Sequence, residues 1–120
     1  MGTIKTFRDL ETWQKGHEFV LMIYILTKEF PQRETYSLVD QMRRAVVSIT
    51  SNVAEGFGRR TSNEKVRFYY IATGSLTEIQ NQLLIARDLR YLSESEYDGA
   101  EKLTELVYRL LNGLIRSLTK

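Results

Sequence analysis

The sequence predicts an all-α fold: an up-and-down antiparallel four-helix bundle built as a single domain over residues 1–120. Three observations carry that reading. Four segments space their apolar residues at the helical period, with only short breaks between them. No segment alternates with period two, and no Asn-Gly or Asp-Gly turn joins two strand-like runs. The chain has 120 residues, 42% hydrophobic, with seven glycines and one proline, which suits one packed domain rather than two.

The first helix is expected over about residues 9–30, with Asp9 as its N-cap. Pro31 is its natural stop, because the residue before a proline avoids the helical region. The second, about 37–57, ends in Gly56-Phe57-Gly58, and its apolar stripe is Leu38, Met42, Ala45, Ile49, Val53 and Phe57. The third, about 62–90, opens on Thr61-Ser62-Asn63-Glu64, a capping-box spacing. Its seam is Phe68, Ala72, Leu76, Ile79, Leu83 and Ala86. The fourth, about 94–118, opens on a second such pattern, Ser93-Glu94-Ser95-Glu96. Its seam is Leu103, Val107, Leu110, Leu114 and Leu118, widened by Leu106, Leu111 and Ile115. Gly74 and Gly113 lie inside helices, where glycine costs about 1 kcal/mol relative to alanine. Close helix–helix approach is the expected reason.

The first helix departs from the pattern. Residues 19–26, Phe-Val-Leu-Met-Ile-Tyr-Ile-Leu, leave no polar side for about two turns. A helix that is apolar all round needs a second surface to bury against. The expectation is self-association through Phe19, Met22, Ile23 and Leu26, assisted by the fourth helix and Tyr108. The run is too short for a bilayer, which takes roughly 20 residues. The N-terminus has no secretory apolar region. Met-Gly-x-x-x-Thr, with Gly2 and Thr6, is a loose match to a myristoylation pattern. A cytoplasmic protein with no membrane partner is expected.

Chemistry is sparse. The absence of cysteine excludes disulfides and thiolate metal sites and fits a reducing compartment. One histidine excludes a two-imidazole site and a di-iron bundle, which needs Glu-x-x-His twice. No nucleophile elbow, P-loop or dinucleotide turn is present. His17 shares a helix face with Trp13, Val20 and Tyr24, the setting of a packed or rim histidine. A Glu55–Glu78 carboxylate pair is the only remote enzymatic reading. Neither an enzyme nor a cofactor is expected.

Two surface features stand out. Gln41, Arg44, Ser48, Ser51, Asn52, Glu55 and Arg59 project from the second helix as a polar stripe. It is either a solvated face with a Glu55–Arg59 pair or a surface offered to a partner. Ser48, Ser51 and Asn52 are mediocre helix formers and poor choices for mere solubility, yet the solvated face remains the leading expectation. Basic residues crowd the same region: Arg43, Arg44, Arg59, Arg60, Lys65 and Arg67 stand against Glu55 and Glu64. The net is +4 there and −2 over the remainder, within an overall +2. With Tyr69 and Tyr70 nearby, these arginines could track a phosphate backbone of RNA or DNA. In a ring of copies the charge would be multiplied. The alternatives are a merely solvated turn, or a protein-interaction scaffold that recruits a partner through the polar stripe or apolar edges with no nucleic acid.

Several segments together resemble a known family. They are Phe7-Arg8-Asp9-Leu10-Glu11 with Trp13-Gln14-Lys15, Gln41-Met42-Arg43-Arg44-Ala45-Val46-Val47-Ser48-Ile49, and Ser51-Asn52-Val53-Ala54-Glu55-Gly56-Phe57-Gly58-Arg59. Phe68-Tyr69-Tyr70-Ile71-Ala72, Gly74-Ser75-Leu76, Gln82-Leu83 and Tyr91-Leu92 complete the set. The chain resembles the bacterial four helix bundle protein family, also called the 23S rRNA intervening-sequence protein family. It is also similar to the accessory protein of diversity-generating retroelements. The resemblance implies a ring-shaped homo-oligomer, with a homopentamer the expected form, and contact with nucleic acid or a partner protein. It implies no agreed biochemical activity. Thr50 stands where the family often has proline, which should leave the second helix straight.

Overall fold

The computed structural model describes residues 3–119, so the Gly2 position of the myristoylation-like pattern lies outside the described residues. Four helices make up the bundle: α1 Glu11–Thr27, α2 Asp40–Phe57, α3 Ser62–Asp88 and α4 Glu94–Leu118. There is no strand among the described residues. Each helix packs mainly on two others, α1 on α2 and α4, and α3 on α2 and α4. The helices therefore stand in the square order expected of an up-and-down bundle, 43 Å along its long axis and 22 Å across its narrowest. No helix among the described residues is long and apolar enough to cross a membrane.

The helix starts follow local chemistry. Ser93 Oγ accepts from the Glu96 N–H at 3.0 Å, and Glu96 Oε1 accepts from the Ser93 N–H at 2.9 Å, a complete capping box. Thr61 Oγ1 accepts the Glu64 N–H at 3.2 Å. Asp9 is not the cap of α1. Its carboxylate accepts the N–H groups of Thr6 and Lys5, both at 2.9 Å, and closes a short 3₁₀ turn at Phe7–Asp9 ahead of the helix. These bonds hold the Asp9 carboxyl below its usual range, the Thr6 N–H being the larger cause. At its far end α1 stops at Thr27, short of Phe30. The next residues close i→i+3 turns, from Lys28 N–H to Ile25 O and from Phe30 N–H to Thr27 O. A 3₁₀ turn at Gln32–Glu34 and a π turn at Thr35–Val39 then lead into α2. α2 is an unbroken α-helix through Thr50, as the missing proline implies. α3 ends at Asp88 rather than Arg90 because Arg90 is left-handed, with φ 65°.

Which arc faces inward differs from the predicted stripes in two helices. In α3, Tyr69 is buried and Phe68 only half-buried. In α4 the buried line is Ala100, Thr104, Val107, Leu111 and Ile115, while Leu103, Leu110 and Leu114 sit half-buried on its flank. Thr104 tolerates complete burial because its hydroxyl bonds the Ala100 carbonyl at 2.9 Å.

The glycine expectation is overturned as well. A Cβ at Gly74 or Gly113 would meet nothing within 4 Å. Close approach occurs instead at Gly16, where a Cβ would lie 3.1 Å from Thr50 Cγ2. It is tighter still at Gly56, where a Cβ would lie 2.7 Å from Tyr69 Cε1 and 3.0 Å from Phe68 Cβ.

α1 also needs correction. Phe19 and Ile23, expected at a contact between copies, are completely buried in the core of their own chain, and Met22 and Leu26 are half-buried against it. What α1 leaves outside is Leu21, Tyr24 and Ile25, the last 65% exposed. The apolar surplus is real, but it occupies the opposite arc.

Candidate nucleic-acid interface

Antiparallel topology decides which basic residues meet. α2 runs away from the end where α1 finishes and turns at Gly58–Thr61 into α3. Arg43 and Arg44 therefore lie near one end of the bundle and Arg59 and Arg60 at the other, about 24 Å apart at 1.5 Å per residue. The six bases, all within residues 43–67 of the sequence, are two separate groups in space.

The first group is largely committed. Arg43 Nε donates to Thr27 Oγ1 at 3.0 Å and Nη2 to the Tyr24 carbonyl at 3.3 Å, and the guanidinium lies 4.5 Å from the Tyr24 ring centre. It satisfies groups in the last turn of α1 and complements the negative end of that helix. Arg44 pairs with Asp40 at 3.1 Å but keeps a side chain 79% exposed.

The second group surrounds the α2–α3 turn. Arg59 Nη2 pairs with Glu55 at 3.0 Å, as the i,i+4 spacing predicts, and stacks 4.6 Å from the Phe68 ring centre. Lys65 Nζ donates to the Phe57 carbonyl, capping α2, and lies 5.2 Å from the Phe57 ring centre. Arg60 and Arg67 are exposed and have no ion pair among the described residues. α1 begins and α4 ends at this same end of the bundle, which adds Lys5, Arg8 and Arg116. Sequence reasoning missed these three because nothing local marks them. Their placement at the same end as Arg60 follows from the chain reversals alone. The opposite end gathers Asp88, Glu94, Glu96, Asp98 and Glu101 around the α3–α4 turn, with Arg87 and Arg90 among them and Arg87 paired to Asp88. With Asp9, Glu11, Glu55 and Glu64 set against its bases, the Arg59–Arg60 end is still the more basic of the two, which favours a polyanion approaching there.

The polar stripe on α2 divides in the same way. Asn52 Nδ2 donates to the Ser48 carbonyl at 2.8 Å and to Ser48 Oγ at 3.1 Å, and Ser75 Oγ of α3 donates to Ser48 Oγ at 2.8 Å. Ser48 and Asn52 are thus part of the α2–α3 joint, while Gln41, Ser51 and Glu55 remain exposed. Gln82 extends that joint. It is 3% exposed, donates to Glu78 at 3.4 Å, and its Oε1 has no partner. Glu78 is not brought to Glu55. The Ser48–Ser75 register sets it level with Ala45, about 15 Å along α2. His17 is exposed, its ring stacked 4.8 Å from that of Trp13, which meets Phe7 edge-on at 5.3 Å.

A family model described as 23S rRNA-intervening sequence protein matches residues 8–113. Among solved structures, the chain is similar to a protein of unknown function from the S23 ribosomal protein family of Bacteroides thetaiotaomicron. The two are 20% identical with a TM-score of 0.81, over 88% of this chain and 95% of that one. At that identity the likeness speaks for the fold. No curated protein matches the chain.

Proposed function

Because the chain belongs to the 23S rRNA-intervening sequence protein family, we propose that it is a non-enzymatic, self-associating bundle whose basic end engages RNA or DNA. The observation that carries this reading is the unpaired state of Arg60 and Arg67, among the described residues, beside Arg59 at the end that also collects Lys5, Arg8 and Arg116. Guanidinium groups not already neutralised are the ones that release counterions when they meet phosphates. If copies assemble in a ring with their bundle axes parallel, every basic end lies on one rim and the modest charge of one copy becomes a belt. A homopentamer is the form the family resemblance favours.

The test is a gel shift with single-stranded and duplex RNA and DNA at two salt concentrations. Wild type should shift at low salt and lose affinity steeply as salt rises, with a slope proportional to the phosphates neutralised. Arg60→Ala/Arg67→Ala should weaken binding about tenfold or more, while Lys28→Ala, an exposed cation at the far end of the bundle, leaves it unchanged. A shift that the double variant leaves unchanged would overturn the assignment to the basic end, and no shift at low salt argues for the second reading. That reading is a scaffold for a protein partner without nucleic acid, and the outward apolar strip of Ile71, Ile85 and Leu89 on α3 favours it.

A further inference from the structure

Two clefts lie on opposite faces of the square bundle. The α1–α2 face carries one of 410 Å³ lined by Tyr24, Asp40, Arg43, Arg44 and Val47. The α3–α4 face carries one of 340 Å³, with Leu84 and Tyr97 as apolar wall and Glu101 and Glu105 as its only charged lining. The first holds two guanidinium groups against one carboxylate, the second two carboxylates. Glu101 and Glu105 have no ion pair among the described residues. Exposed apolar side chains stand one turn along the helices from the cleft walls, Leu21 from Tyr24 on α1 and Tyr108 from Glu105 on α4.

Their heights along the axis agree. From the Ser48–Ser75 hydrogen bond, counting back along α2 and forward along α3 sets Arg44 level with Ile79 and Val47 level with Leu76. From the contact of Arg87 with the Tyr97 ring, the same counting sets Ile79 level with Glu105 and Leu76 level with Tyr108. Two copies placed side by side with parallel axes therefore bring Arg44 opposite Glu105, and Val47 opposite Tyr108.

We infer that the second copy is the occupant of both clefts: the α1–α2 face of one chain docks on the α3–α4 face of the next, with the exposed Arg44 meeting Glu101 and Glu105. This rests on the self-association half of the proposed function and specifies how it is built. The contact joins two different patches, so it is heterologous. It propagates head to tail and closes into a ring when the rotation permits. A two-fold dimer, in which each patch meets itself, would set arginine against arginine and glutamate against glutamate, an arrangement that like-charge repulsion opposes.

The chain has no cysteine, which makes engineered cysteines unique handles. Arg44→Cys, Glu105→Cys and the double variant are each treated with a bis-maleimide of reach well under the 22 Å width of the bundle. The native mass of each is read in parallel by light scattering. The double variant should give a ladder of covalent oligomers, and each single variant should stay at one chain. As an independent arm, Arg44→Glu and Glu105→Arg should each weaken association about tenfold, and the combined swap should restore it. Dimers from either single variant would overturn the face assignment. So would an oligomeric mass with no ladder from the double variant, and both results leave self-association standing. A wild-type mass of 14.0 kDa at every concentration would overturn self-association itself.

Discussion

Arg90 shows how much one residue hides from a one-dimensional reading. Its N–H donates to the Arg87 carbonyl and that of Tyr91 to the Ala86 carbonyl, both at 2.9 Å, the pair of bonds that closes a Schellman motif. The left-handed position in that motif ordinarily belongs to glycine, because a Cβ there crowds the following carbonyl. Arg90→Gly should therefore raise stability by about 0.5–1 kcal/mol, read as a higher urea midpoint at unchanged slope. Nothing in the sequence near Arg90 announces the turn. The N-caps Thr61 and Ser93 were legible, since a cap and its partner lie three residues apart. Gln82, with its orphaned buried carbonyl, was not, because its burial is set by α2 packing across from it.

At the scale of the element, two helix-interior glycines make opposite predictions. Gly56 sits where α2 and α3 converge, and a methyl there would press on the buried Tyr69 ring at 2.7 Å. Gly56→Ala should destabilise the fold by about 1–3 kcal/mol, the usual cost of overpacking. Gly74 is exposed with open space around its Cβ direction. Gly74→Ala should stabilise α3 by about 0.5–1 kcal/mol through helix propensity. Chemical denaturation of the two variants side by side checks both signs. Helical period found every helix but misplaced the centre of the inward arc in α4 by favouring its leucines. A buried line of Ala100, Thr104, Val107, Leu111 and Ile115 is less hydrophobic than its flank. It faces inward because α1 and α3 close over it, and no propensity encodes that.

Across the whole molecule, the two connections at the acidic end are tied together. Tyr91, after α3, donates to Glu34 Oε2 at 2.7 Å, and Ser37 donates to Glu34 Oε1 at 2.7 Å. The Phe30 and Tyr91 rings meet at 5.2 Å. The hydrogen bonds from Ser37 and then Tyr91 hold the Glu34 carboxyl below its ordinary value of 4.5. A carboxylate so lowered contributes stability that is present above its unfolded value and is lost as pH falls through the folded one. Tyr91→Phe should therefore lower the urea midpoint at neutral pH, and its deficit against wild type should shrink as pH drops below 4.5. A deficit of constant size across that range would mean the phenol acts by packing alone. The sequence by itself determined the elements: four helices, the N-caps of α3 and α4, the turn positions and the apolar surplus of α1. All of these rest on interactions within one or two turns of chain. Only the tertiary structure decided which arc of each helix is inside, that Phe19 and Ile23 serve their own core, and that Arg43 is committed to α1. It also parted Arg43 and Arg44 from Arg59 and set Lys5, Arg8 and Arg116 at the end of the bundle that carries Arg60. The physical reason is that a chain reversal joins residues by length and direction of helix, quantities that no local window of sequence contains.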